Sequence, residues 1–194
     1  MFYTSDDCNY KHISLSITND PLNVTVWNPT GFIFPYELWS KSGVVLFASS
    51  ENELKQHYLF WGDSQHAPLE GIGIATSNDG QNWNDTGLYL IKTGDVYDFD
   101  WGWIEAGPPP IRLNSGDFLF LYNGGSEDPA TFSQVGYVIL NGTDPSLVIT
   151  RSANPLLESN QSWEQNPSKV YMTGLIPHSQ GCPKQLSNFL VGTM

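Results

Sequence analysis

Short apolar runs alternate with polar, turn-rich segments along this chain, and the 3.6-residue spacing of an amphipathic helix is nearly absent. Val44–Ala48, His57–Trp61, Gly71–Ala75, Phe118–Tyr122 and Val135–Leu140 are β-branched or aromatic and bounded by Gly, Asn, Asp or Pro. That pattern predicts buried strands, and the fold class it gives is all-β. Ser77-Asn78-Asp79-Gly80-Gln81-Asn82-Trp83 sets an Asp-Gly turn among strand residues, and Asn141-Gly142-Thr143-Asp144-Pro145 holds the equivalent place one unit later.

The repetition points to blades. The strongest apolar strands centre near Tyr3, Phe60, Leu121 and Leu190, at steps of about 60 residues, a little longer than the roughly 50-residue blades of long propeller repeats. A propeller needs a closed ring, because an open end exposes sheet edges and an apolar flank. The chain supplies about three units and pieces of a fourth. The expectation is an incomplete β-propeller in a single domain, residues 1–194.

Composition narrows the partners. Aromatic residues make up 13% and charged residues only 14%, which excludes disorder. A formal charge of -12 opposes phosphate backbones and anionic lipid, so neither nucleic acid nor membrane is an expected partner. Aromatic faces and carboxylates suit neutral polyhydroxylated ligands, although aromatics equally fill cores. Four histidines, His12, His57, His66 and His178, lack metal-ligand spacing, and no phosphate-cradling glycine loop or Gly-x-Ser-x-Gly occurs; no metal or cofactor is expected. Cys8 and Cys182 either pair across the fold or remain two thiols. Sequons at Asn23, Asn84, Asn141 and Asn160 favour secretion, while Met1–Asp7 carries no signal-peptide pattern, and the cytoplasm is the other reading. Oligomeric state is not legible.

Glu105-Ala106-Gly107-Pro108-Pro109-Pro110-Ile111-Arg112 reads as a rigid loop, since its prolines fix φ and remove backbone donors. The strand after it places that loop at the mouth of a buried sheet, where binding groups are often carried. This loop, Leu121-Tyr122-Asn123-Gly124, the run Leu140–Ser152, Asn154-Pro155-Leu156-Leu157-Glu158 and Trp163-Glu164 together resemble glycoside hydrolase family 130, over roughly Gly31 to Gly174. The resemblance implies a five-bladed β-propeller acting on β-mannosides, by phosphorolysis or hydrolysis.

Departures from the family pattern shape the expected chemistry. Where the resemblance implies phosphate-binding cations, this chain has Asn123, a residue of Phe60-Trp61-Gly62, and Pro29-Thr30. A phosphate dianion lacks partners there, so inverting hydrolysis of β-mannosidic or related linkages is the expected reaction. The family's proton donor lies in a Glu-Asp-Pro-Arg block that this sequence lacks; the resemblance places it upstream of Met1, and a fragment or truncated relative, weakly active or inactive as an isolated chain, is expected. An inactive sugar-binding relic and an arabinan- or fructan-type five-bladed glycosidase are the alternatives.

Inverting hydrolysis needs a carboxylate that activates water opposite a protonated acid. Glu105 and Glu164 are the candidates for that base, Glu105 among indoles that would desolvate it and Glu164 at the family's aromatic-Glu position. A local cap for Glu105 and a solvated charge for Glu164 are the plainer readings. Trp61, Trp103 and Tyr122 are candidate stacking platforms, with Tyr122 also readable as the end of a buried strand. Asp63, Asp100 and Asn123 are candidate partners for sugar hydroxyls, Asp63 equally a turn residue.

Overall fold

A computed structural model describes residues 1–6, 9–36, 39–62, 71–95, 98–126, 133–164, 169–177 and 189–191. Among them the regular elements are antiparallel strands and one 3-10 turn, Ser162–Glu164. The first sheet joins β1 (Phe2–Asp6), β2 (Lys11–Ile17) and β3 (Asn28–Phe32) in chain order. The second runs β4 (Val44–Leu46), β5 (His57–Trp61), β6 (Gly71–Ser77) and β7 (Asn84–Lys92). The third holds β8 (Trp103–Ala106), β10 (Phe118–Gly125), β11 (Gln134–Leu140) and β12 (Val148–Arg151), with β9 (Ile111–Arg112) also on β10. A fourth pairs β13 (Leu175–Pro177) with β14 (Phe189–Val191). These meanders, three and a part, are the incomplete propeller that the repeat predicts.

The unbroken apolar runs follow from burial on both faces. Side chains of a strand alternate in direction. In β5, Tyr58 and Phe60 pack with Phe118, Phe120, Tyr122 and Ile104 of the third sheet, whereas Leu59 and Trp61 pack with Ile13, Phe34 and Val45. β10 divides in the same way, its Leu121 joining Val135, Val170 and Met172. Each central strand therefore fills two cores. Phe60 and Phe120 meet at 5.2 Å between ring centroids with their planes tilted by 33°, within the separation at which aromatic pairs attract. Gly136 lies where a Cβ would stand 2.4 Å from the Tyr122 ring, so glycine is what lets that phenol cross the sheet.

Glu105 is not in a loop. It pairs with Asn123 in the β8–β10 ladder, because the prolines begin only at Pro108 and residues 103–106 keep their amide donors. The stiff segment 107–110 then carries the chain from β8 to β9.

Candidate active site

The segment leading into β4 and the strand β8 meet at Glu105. Lys41 and Ser42, just before β4, reach across to this side chain on β8: the Ser42 hydroxyl donates to Oε1, and Lys41 Nζ lies 3.8 Å from the same oxygen. Ser42 has φ of 55°, a left-handed conformation uncommon for a residue with a Cβ. Among the described residues Oε2 has no hydrogen bond, and the Glu105 side chain keeps 11% of its surface open. Burial raises the Glu105 pKa above the ordinary glutamate value, and Lys41 offsets part of that rise. A carboxyl poised in this way holds or releases a proton nearer neutrality than a surface glutamate does.

A second buried carboxylate, Asp100, lies on the segment entering β8. The Tyr122 hydroxyl donates to Asp100 Oδ2 at 2.5 Å, Arg151 Nη2 donates to the same oxygen at 2.6 Å, and Arg151 Nε donates to the phenol oxygen at 3.1 Å. Arg151 Nη1 also donates to the Lys92 carbonyl at 2.8 Å, tying β12 to the end of β7. Burial, then Asp100, pushes the Tyr122 hydroxyl well above its usual range. Burial works against the Arg151 charge, yet its phenol and carboxylate partners outweigh it and raise its pKa. The group is a closed clamp between two sheets.

The family model for glycoside hydrolase family 130, described as beta-1,4-mannooligosaccharide phosphorylase, matches residues 1–172. The chain belongs to glycoside hydrolase family 130. It is 28% identical over 145 residues to a 1,2-beta-oligomannan phosphorylase of Thermoanaerobacter sp. (strain X514), covering 70% of this chain and 46% of that protein. It is 32% identical over 108 residues to a beta-1,2-mannobiose phosphorylase of Listeria innocua, covering 52% of this chain and 29% of that one. The chain thus spans less than half the length of these relatives. A solved structure of the GH130 family of mannoside phosphorylases, described as containing glycoside hydrolases that target beta-1,2 mannosidic linkages in Candida mannan, superposes with a TM-score of 0.72 at 24% identity. That match covers 90% of this chain and 54% of the other, and it supports the propeller fold. Membership in family 130 displaces the arabinan- or fructan-type alternative.

Within this family 130 chain several expected contacts take other roles. Trp61 is 3% exposed and tilted against Phe34 at 4.6 Å, a core residue and not a stacking platform. Trp103 is equally buried, stacked on Tyr171 at 6.0 Å. Tyr122 and Asp100 are used up in the clamp. Asn123 accepts from the Met172 amide at 2.7 Å and donates to the Met172 carbonyl at 3.1 Å, so it fastens the segment after the third sheet instead of facing a sugar. Glu164 accepts through Oε2 from the amides of Asn160 and Gln161, at 3.1 and 3.0 Å, and so closes its own 3-10 turn. Asp63, Cys8, Cys182, His66 and His178 lie outside the described residues.

Lys41 and Ser42 beside Glu105, and Arg151 in the clamp, are not among the residues that the sequence singles out. Lys41 and Ser42 carry no motif, and their partner lies a whole blade away. Arg151 was legible only as part of the Arg-Ser element of the family pattern. Among the described tryptophans, Trp101 and Trp163 are exposed, at 38% and 66%, each next to an acidic residue of the expected set.

Proposed function

We propose that this chain carries the water-activating side of a family 130 site that cleaves β-mannosidic linkages, with β-1,2-linked oligomannosides as the substrate class, by inverting hydrolysis. Glu105 is the base. The observation that carries this reading is a buried carboxyl of raised pKa, held at one oxygen by Ser42 and Lys41 and unpartnered at the other among the described residues. Phosphorolysis supplies its own anionic nucleophile and has no use for a general base, whereas hydrolysis requires one to take a proton from water. Glu164 is the poorer choice because it lies on the Ser162–Glu164 turn, none of whose residues is buried, and so lacks the desolvation that Glu105 has. Trp101 and Trp163 offer the exposed ring faces on which sugar C–H faces stack.

Phosphorolysis is the second reading. Two observations favour it: both relatives compared above are phosphorylases, and Lys41 sets a cation beside the carboxylate. Incubation with β-1,2-mannobiose, with and without inorganic phosphate, separates the two. Hydrolysis releases mannose at the same rate in both; phosphorolysis releases mannose 1-phosphate only when phosphate is present. A chain that binds the disaccharide without turnover is the sugar-binding relic.

Secretion is the compartment this reading favours. It is supported by the sequons, two of which, at Asn23 and Asn141, form Asx turns in which the Thr25 and Thr143 hydroxyls each donate to the asparagine Oδ1 at 2.8 Å. A mass loss on treatment of the native protein with an N-glycan amidase tests it.

A further inference from the structure

We propose that Ser42 and Lys41 are positioning residues that pin Oε1 of Glu105 and leave Oε2 as its working oxygen. The inference rests on the reading of Glu105 as the base and names what orients it. A carboxylate free to rotate presents either oxygen to water. One fixed through Oε1 by a hydroxyl and an ammonium presents a single oxygen in a single direction, and this lowers the cost of reaching a reactive geometry.

The backbone of Ser42 supports a purpose beyond packing. At φ of 55° a glycine would sit without penalty, and Gly43 follows directly. Serine at this place bears a conformational cost and puts its hydroxyl on Glu105, the pattern of local strain retained at a functional position. Lys41 acts differently, through charge at 3.8 Å, with both side chains largely withdrawn from solvent.

The other ionisable groups around Glu105 are committed elsewhere. β8 packs against β5, β6 and β10. On β10 the ionisable side chain is Tyr122, bound to Asp100, and Asn123 opposite Glu105 is neutral. β5 brings His57, whose Nδ1 accepts from the Ala48 amide at 2.8 Å, and Tyr58, whose hydroxyl meets Gln56 at 3.4 Å. β6 and β4 carry none. In the preceding segment Asp98 accepts from the Asp95 amide and Asp100 pairs with Arg151. Lys41 is therefore the charge, among the described residues, that sets the Glu105 proton affinity against burial.

The test is a titration that does not depend on turnover. The protein is labelled with 13C-glutamate and its carboxyl carbons are followed against pH by NMR; the Glu105 resonance is the one missing from Glu105→Gln. Lys41→Met is expected to raise the Glu105 midpoint by about one pH unit or more, a tenfold change in proton affinity, and Lys41→Arg to keep it near wild type. Ser42→Gly is expected to raise it by a smaller amount while leaving the thermal midpoint at or above wild type, since glycine relieves the left-handed backbone. A purely structural serine would give the reverse: lower thermal stability and an unmoved titration. An unchanged midpoint in both Lys41→Met and Ser42→Gly overturns the proposal. Midpoints that shift in a protein without turnover on β-1,2-mannobiose uphold the pinned carboxyl and overturn only the glycosidase reading. In an active protein, the acid limb of kcat/KM moves with the NMR midpoint.

Discussion

Asp100 receives a phenol hydroxyl and a guanidinium on one oxygen at 2.5 and 2.6 Å, whereas Glu105, on the strand that follows, has a serine hydroxyl and an ammonium 3.8 Å away. Both carboxyls are buried, Asp100 on the segment entering β8 and Glu105 on β8 itself. One is matched by a full charge at hydrogen-bond distance; the other is matched incompletely, and burial wins. With Glu105 as the proposed base, the difference is one between a structural carboxylate and a working one. A compensated carboxylate clamps sheets together, and an under-compensated one retains a proton affinity that chemistry can use.

The largest effect expected from breaking this comparison is on catalysis. Glu105→Gln keeps the shape and the Ser42 contact but removes the base, and it should lower turnover on β-1,2-mannobiose about 10²–10⁴-fold with an unchanged circular dichroism spectrum. On the other carboxyl the effect should appear in stability. Arg151→Met leaves Asp100 buried with the Tyr122 hydroxyl but without its counter-charge, which should cost about 3–5 kcal/mol in urea unfolding. If Arg151→Met were harmless to stability, the clamp would not be the structural member of the pair.

Gly136→Ala sharpens the same contrast at lower cost. Its Cβ would press on the Tyr122 ring and displace the phenol from Asp100, for an expected loss of about 1–3 kcal/mol with little change in Glu105 titration.

Dependence on pH sets Glu105 apart from an exposed carboxyl elsewhere, Asp79. Glu105 has a higher pKa folded than unfolded, so from the ordinary value of 4.5 up to its raised folded value the native state binds more protons. Stability therefore falls as pH rises through that interval, and Glu105→Gln should abolish this slope in unfolding curves. The exposed Asp79 gives the opposite sign and the smallest effect. The backbone and side-chain amides of Asn82, then the Gln81 amide, hold its carboxyl well below the usual range. The turn stability it supplies is present above the ordinary value of 3.8 and is lost as pH falls through the lower folded one. Hydrogen exchange at the Gln81 and Asn82 amides should report that opening only in strong acid, and at every pH in Asp79→Ala.

Legibility in the sequence follows burial. β5 and β10 stand out because both faces of each strand fill a core, so the runs Tyr58–Trp61 and Phe118–Tyr122 are apolar or aromatic throughout. The outer strands β3 and β12 face solvent along most of their length, and Asn-Pro-Thr-Gly-Phe and Val-Ile-Thr-Arg carry no comparable pattern. β8 was hidden by the prolines beside it. At the site, Glu105 was legible because it adjoins the stiff segment, but its partners were not: Lys41 and Ser42 meet it only because the segment leading into β4 and the strand β8 converge. The large aromatics misled for a physical reason. A tryptophan on a doubly buried strand and one on a sugar-binding surface have the same letter, and only packing distinguishes Trp61 and Trp103 from Trp101 and Trp163.

The central claim is most directly tested by following the anomeric protons of β-1,2-mannobiose by 1H NMR in phosphate-free buffer, with the native protein isolated from its source as wild type and with its Glu105→Gln variant. The account predicts that wild type releases α-mannose first, by inversion, and that the amide variant is slower by at least two orders of magnitude, the lower end of general-base catalysis. Equal rates in the two proteins, or release only once phosphate is added, would contradict it.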